Sequence, residues 1–342
     1  MCMRPWFLEG VGALAVGLLV PAASAAGAFS SDEAVREILR QRIEVSRLGV
    51  GCVVALVDES GARVVSHGLA KSGERRPVDG DTVFQVGSVT KVFTSLLLAQ
   101  MAARGEVRLD DPIALYAPPV VTTTRAREIT LLHLSRHTAG FMSFADNLEP
   151  AAVQDPADAP TNDAMFASLD LQPMRAATDF ESAVRARILE PLGMTRSGFA
   201  LTPPLRAAHA TGHTARGEPR AHTEARSMLG SGALRSSAND LARFVQAHLG
   251  LRDSELAGPM RATQRTEADR QRPDLPMGLG WFHAELPGKR IVHHSGSTPG
   301  FSAYVGMDLE RSRGVVVLGN SDHDVTNLGL HLLEPYVPLY TP

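Results

Sequence analysis

Strand-like patterns lie near both ends of this chain, with helical patterns between them, and that placement constrains the fold most. Residues 50–57 and 63–69 are rich in β-formers and flank the turn Asp58-Glu-Ser-Gly61, which predicts a hairpin. After Pro276 come four more strand-like runs, at 279–284, 290–294, 302–307 and 314–318. Ahead of the hairpin, Ser30 and Glu33 have capping-box spacing and open a helix with Val35, Ile38, Leu39 and Ile43 on one face. From Ser88 onward Val92, Phe93, Leu96, Leu97 and Met101 recur at helical spacing, and Gly105 is a stop signal. Residues 106–235 carry helical patterns broken by Pro118-Pro119, Pro150, Pro156, Pro160 and Pro203-Pro204. Helices are also expected at 237–249, ended by Gly250, and at 325–333. The expected class is α+β: an antiparallel sheet from both chain ends, flanked by helices, with a mostly helical inserted subdomain. Residues 26–95 and 236–342 would form the sheet subdomain, and 96–235 the helical one.

Composition narrows the function. The 342 residues are 44% hydrophobic and 21% charged, with a net charge of −3. That balance excludes a disordered charged tail, and the lack of a basic excess argues against a nucleic-acid partner. Arg4 followed by the apolar run 11–20, Pro21 and Ala-Ala-Ser-Ala-Ala reads as a secretory signal over 1–25, cleaved after Ala25. The expected location is the periplasm or the medium, without stable membrane insertion after cleavage; an uncleaved N-terminal anchor is the alternative. Of two cysteines, Cys2 lies in that leader and only Cys52 stays, so no internal disulfide and no cysteine-based zinc site can form. The twelve histidines show no metal-ligand spacing, and no cofactor is expected.

The strongest local feature is Ser88-Val-Thr-Lys91. Residues i and i+3 share a helix face, so hydroxyl and amine can meet. A serine hydroxyl becomes a nucleophile when a neighbouring base takes its proton, and lysine is such a base if desolvation or positive neighbours lower its pKa. Lysine occurs only at 71, 91 and 289 among 34 basic residues, and arginine, which stays protonated, could not replace it as a base. At a helix start the Ser88 N–H also has no intrahelical acceptor and favours a developing oxyanion. The bland reading is a capping serine with a solvated lysine one turn on.

Further motifs occur in order. They are Phe84-Gln-Val-Gly-Ser88-Val-Thr-Lys91, Leu109-Asp-Asp-Pro112, Ile129-Thr-Leu-Leu-His-Leu-Ser-Arg-His-Thr-Ala-Gly140 and Ile188-Leu-Glu-Pro-Leu-Gly-Met194. Gly232-Ala-Leu-Arg-Ser-Ser-Ala-Asn-Asp240, Gly278-Leu-Gly-Trp281, His294-Ser-Gly-Ser-Thr-Pro-Gly-Phe301 and Val315-Val-Val-Leu-Gly-Asn-Ser321 follow. With these, residues 50–322 resemble the serine β-lactamase and penicillin-binding-protein superfamily, and within it the class C β-lactamases, D-alanyl-D-alanine peptidases and family VIII carboxylesterases. The resemblance implies that Ser88 is the acylated nucleophile and Lys91 its base partner. It places His294-Ser-Gly296 at the third motif, on a sheet-edge strand, with the N–H of Ser297 as second oxyanion donor and Gly296 giving the substrate close approach. His293 would point to the opposite face of that strand.

One departure stands out. The second motif, Tyr-x-Asn, falls on Pro160-Thr-Asn162: Asn162 is in place to bind substrate, but the tyrosine position is Pro160, and none of Tyr116, Tyr304, Tyr336 or Tyr340 lies in such a motif. Three readings stay open. Lys91 acts alone; His294 supplies the acid or base, since histidine titrates near neutral pH; or the site only binds. Asn162 could equally be a helix cap. His137 is expected to be structural, His209, His213 and His222 solvated, Trp281 and Phe301 core or cleft wall, and Asp110-Asp111 a turn. The expected function is an exported serine hydrolase forming an acyl-enzyme on small esters or β-lactam/D-amino-acid amide-like substrates, with a small molecule as its partner. The alternative is a catalytically weak penicillin-recognising module of the cell envelope.

Overall fold

The computed structural model describes residues 28–116, 128–139, 179–221, 229–266 and 276–339. Six strands form one antiparallel sheet: β1 (Gly51–Asp58), β2 (Gly61–Gly68), β5 (Phe282–Leu286), β6 (Lys289–Thr298), β7 (Phe301–Asp308) and β8 (Arg313–Gly319), in the order β2-β1-β8-β7-β6-β5. The first two come from the N-terminal part and the other four from the C-terminal part, joined where β1 pairs with β8 from Cys52↔Gly319 to Val57↔Gly314. A separate two-stranded ribbon pairs β3 (Val83–Gln85) with β4 (Arg235–Ser237). The α-helices among the described residues are α1 (Asp32–Arg40), α2 (Thr90–Ala103), α3 (Leu131–Ser135), α4 (Phe180–Val184), α5 (Pro203–Ala208), α6 (Leu229–Gly232), α7 (Ala238–His248), α8 (Ala257–Gln264) and α9 (Thr326–Leu333). None is long and apolar enough to cross a membrane.

Alternation along the strands sorts the core into two layers. Val53, Ala55, Val57, Val292, Ala303, Val305, Val316 and Leu318 face α2 and α7, while Cys52, Val54, Leu56, Ile291, Tyr304, Val315 and Val317 pack under α1 and α9. Fully burying each such aliphatic chain contributes about 1.5–3 kcal/mol. α2 is buried from Thr90 through Met101, so it runs through the interior, and the functional groups at its start are fixed by packing on all sides. Arg104 ends it, followed by Gly105 at φ +70°.

Three expectations are corrected. The first helix is capped by Ser31, whose side chain accepts from Ala34 N, one residue later than the Ser30–Glu33 pattern suggests. β5 begins at Phe282, because the backbone N–H groups of Leu279 and Gly280 bond Thr263 O and Ser135 O instead of a strand. His213 is not solvated but fully buried: its Nδ1 lies 2.8 Å from Asn320 O, and Ser72 N–H donates to its Nε2 at 3.1 Å. The same Asn320 accepts from Gly51 N and donates to Leu69 O and Ala70 O, tying β8 to the hairpin.

Buried neutral imidazoles make the fold acid-sensitive. Burial holds His248 down to about 3 and His283 and His293 to about 4, and lowers His213 as well. A group depressed in the folded state takes its proton first in the unfolded chain, so stability is present above the unfolded value and is lost as pH falls below it. Each such histidine costs about 1.4 kcal/mol per pH unit below about 6.5, down to its folded value. The thermal midpoint is therefore expected to drop steeply between pH 7 and pH 5 in a calorimetric pH series; a flat midpoint over that range would contradict it.

Candidate active site

The site is assembled where the β3–α2 connection meets the open end of β6. After β3 the chain turns at Gly87, φ +50°, and Gly87–Val89 form a single 3₁₀ turn that runs into α2. Thr90 Oγ1 donates to Gly87 O at 2.7 Å and accepts from Leu234 N at 3.1 Å, pinning that turn to the segment before β4. Ser88 is thereby held half-buried at the lip, one turn before Lys91. Lys91 is 5% exposed, and its Nζ is 3.0 Å from Ser88 Oγ and 3.1 Å from Ser231 O. The solvated-lysine alternative is thus excluded.

β6 pairs with β5 only as far as His293, so residues 294–298 carry a free outer edge there. In the two-residue hairpin to β7, Thr298↔Phe301 is the closing pair, which turns the N–H and C=O of Ser297 outward. That edge abuts the nucleophile turn. A Cβ on Gly87 would lie 2.7 Å from Ser297 N, and one on Gly296 would run into Val86 O and lie 2.7 Å from Ser88 N. Both positions must be glycine for strand and turn to meet, and their meeting brings the N–H groups of Ser88 and Ser297 to one place.

His294 and Gly296 share the α2 face of β6, with Val292; His293 lies on the other face, its ring stacked on Tyr304 with centroids 5.6 Å apart. The His294 ring is 3% exposed, between Phe282 (5.0 Å) and His137 (6.3 Å). Its Nδ1 is 2.6 Å from Ser295 O; a carbonyl only accepts, so Nδ1 carries the hydrogen and Nε2 the lone pair. Nε2 is buried without a hydrogen-bond partner among the described residues. Burial, then the charges of Lys91 and His137, push its pKa well below the ordinary value. These causes favour the neutral imidazole, whose Nε2 keeps its lone pair.

Asn162, Pro160 and the leader 1–25 lie outside the described residues. The described tyrosines are engaged elsewhere. Tyr116 donates to Asp111, and burial and that carboxylate push its pKa up. Tyr304 is wholly buried in the α1/α9 layer, and Tyr336 is exposed beside Lys289. Asp110 and Asp111 close a turn on Arg108 as expected, and Trp281 and Phe301 are core. Among the described residues no cluster of His, Cys, Asp or Glu could hold a metal. Sequence reasoning missed Ser231: nothing in Leu-Gly-Ser-Gly marks it until α6 is seen lying against Lys91.

A family model described as Beta-lactamase matches residues 35–332. The chain belongs to the beta-lactamase family. A beta-lactamase of Escherichia coli K12 is 27% identical over 324 residues, covering 80% of this chain and 84% of that one. The D-alanyl-D-alanine-carboxypeptidase/endopeptidase AmpH of the same organism is 25% identical over 309 residues, 78% of each chain. Among solved structures, the D-alanine carboxypeptidase AmpC of Burkholderia cenocepacia superposes with a TM-score of 0.73 at 23% identity, over 89% of this beta-lactamase-family chain and 100% of that one. A class C beta-lactamase superposes with a TM-score of 0.75 at 19% identity, over 89% and 96%. These superpositions bear out the α+β fold of helices on an antiparallel sheet.

Proposed function

We propose that this chain is an exported serine hydrolase that works through an acyl-enzyme on Ser88. The observation that carries this reading is the 3.0 Å approach of Lys91 Nζ to a half-buried Ser88 Oγ beside the glycine-bearing edge of β6. In the proposed reaction, Ser88 Oγ attacks the substrate carbonyl carbon while its proton passes to the Lys91 amine. The carbonyl π pair moves onto oxygen, which the N–H groups of Ser88 and Ser297 hold. The oxyanion pair then re-forms the carbonyl, the bond to the leaving oxygen breaks and Lys91 gives that oxygen the proton. Water attacks the acyl carbon in the same way, and the Ser88–acyl bond breaks with the proton returned to Ser88 Oγ. Asn162 is assigned to substrate binding and Gly296 to close substrate approach along the strand.

His294 bears on the substrate. A buried, neutral imidazole at the third motif offers no cation to a substrate carboxylate, which favours small esters over β-lactams and peptide carboxylates. The signal-like pattern of residues 1–25 supports a periplasmic or extracellular enzyme, with an uncleaved N-terminal anchor as the alternative. A second reading, a penicillin-recognising module without turnover, is favoured by the engagement of every described tyrosine away from Lys91. Steady-state hydrolysis of p-nitrophenyl acetate and butyrate by the purified chain tests the first reading against a fluorescent penicillin. Multiple turnovers of the esters are expected; a stable penicillin adduct with no ester turnover would assign the module instead.

A further inference from the structure

Ser297 lies one residue before Thr298↔Phe301, the pair that closes the β6–β7 hairpin around Pro299 and Gly300. The primed turns that follow the twist of paired strands need a positive φ at their first central residue, and proline holds φ near about −65°. With Gly300 at φ +88° the pair fits the type II arrangement instead, which splays the strands it joins. The outer edge of β6 is also unpaired with β5 from His294 on, so the hairpin needs support from another segment. Residues after β8 supply it. Gly300 N–H donates to Asp322 Oδ1 at 2.6 Å, and Asp322 Oδ2 accepts from an Arg220 N–H at 2.7 Å. Asp322 N–H donates to His213 O at 3.1 Å, and His213 N–H to Gly300 O at 3.3 Å. A Cβ on Gly300 would lie 2.8 Å from Gly212 Cα, so the hairpin tip also rests against that backbone.

We propose that Asp322 is a positioning residue for the oxyanion site: by holding Gly300 N–H it fixes the hairpin, and with it the aim of the Ser297 N–H beside that of Ser88. This rests on the hydrolase reading above, in which both N–H groups hold the carbonyl oxygen. The link from Asp322 to Ser297 is short and stiff, since it runs through Gly300, Pro299 and the paired Thr298. The Ser88 N–H is fixed separately, by the Gly87 turn and the bonds of Thr90. Oxyanion donors stabilise a transition state because they are held in place before the charge develops. A hairpin that drifts moves one donor relative to the other. Transition-state stabilisation then falls while ground-state binding of the substrate is little changed. Asp322 acts only through the hairpin.

Asp322→Ala is expected to lower kcat for p-nitrophenyl acetate by about 10–100-fold with KM little changed, somewhat less than deleting an oxyanion donor outright. Asp322→Asn keeps a carbonyl acceptor for Gly300 N–H and is expected to retain most of the activity. It loses only the charge facing Arg220, and an exposed ion pair contributes little. Both variants should therefore stay folded at the assay temperature. Hydrogen exchange read by mass spectrometry on peptides spanning 294–303 reports on the hairpin itself and needs no turnover. Exchange there is expected to speed up in Asp322→Ala and to stay near the wild-type rate in Asp322→Asn. Unchanged exchange in Asp322→Ala overturns the proposal. So does faster exchange with an unchanged kcat, which would mark Asp322 as structural only, and so does a loss of kcat that is as large in Asp322→Asn. Faster exchange in Asp322→Ala, where the wild-type chain hydrolyses no ester, would overturn the hydrolase reading and still support the hold of Asp322 on the hairpin.

Discussion

Ser88→Ala is expected to bring ester hydrolysis down to the uncatalysed background, while the protein folds and melts as before. Removing the nucleophile of a serine hydrolase costs on the order of 10⁶ in kcat, because no other group can form the covalent intermediate. The change is gentle on the fold. Ser88 is half-buried, and its hydroxyl is bonded to Lys91 Nζ, which keeps its bond to Ser231 O. Backbone N–H groups, which alanine retains, would go on binding substrate. The discriminating pattern is therefore lost turnover with an unchanged circular dichroism spectrum and melting temperature. Residual turnover above about a hundredth of the wild-type rate would place the nucleophile elsewhere.

Lys91→Arg is expected to be nearly as damaging although arginine is also a basic side chain. General-base catalysis contributes about 10²–10⁴-fold, and a guanidinium cannot give up a proton at working pH to act as one. Arginine is also larger, and Lys91 is 5% exposed between Ser88 and Ser231, so overpacking adds about 1–3 kcal/mol of destabilisation. Lys91→Met separates the two effects, since it fills the same space without an amine. Both variants should lose kcat/KM by about 10³-fold, and only the arginine variant should melt lower. Arginine activity close to that of the wild type would show that Lys91 serves as a fixed charge and not as a base.

The parts of the fold legible in the sequence are those where a local pattern coincides with a tertiary demand. β1 and the cores of β7 and β8 run apolar because each is buried between two helical layers, while β2, at the sheet edge, is only partly covered. Ser88 and Lys91 were legible because their proximity is set by helix spacing alone. β6 runs on to Thr298, past the expected end at His294, through Ser-Gly-Ser-Thr, which has no apolar alternation. Its extended form there is imposed by β7 and by the Gly87 turn. His213 lies among Gly, Thr and Arg and carries no local sign of burial, since its partner Asn320 is 107 residues away. His294 was legible as a strand residue, but the size of its burial was not. Its lowered pKa comes from a pocket built by Lys91, His137 and Phe282, three segments brought together by the fold. Ser231 had no signal of its own, because the contact of its carbonyl with Lys91 depends on the packing of α6 against α2.

The central claim is that the Ser88 alcohol, set against the Lys91 amine, is the group that becomes acylated. Intact-mass and peptide-mapping mass spectrometry of the protein quenched with acid during reaction with a serine-directed fluorophosphonate tests this most directly. The account predicts one adduct per chain, mapped to Ser88, absent in Ser88→Ala and formed far more slowly in Lys91→Met. An adduct mapped to another residue, or no adduct on a folded wild-type chain, would contradict it.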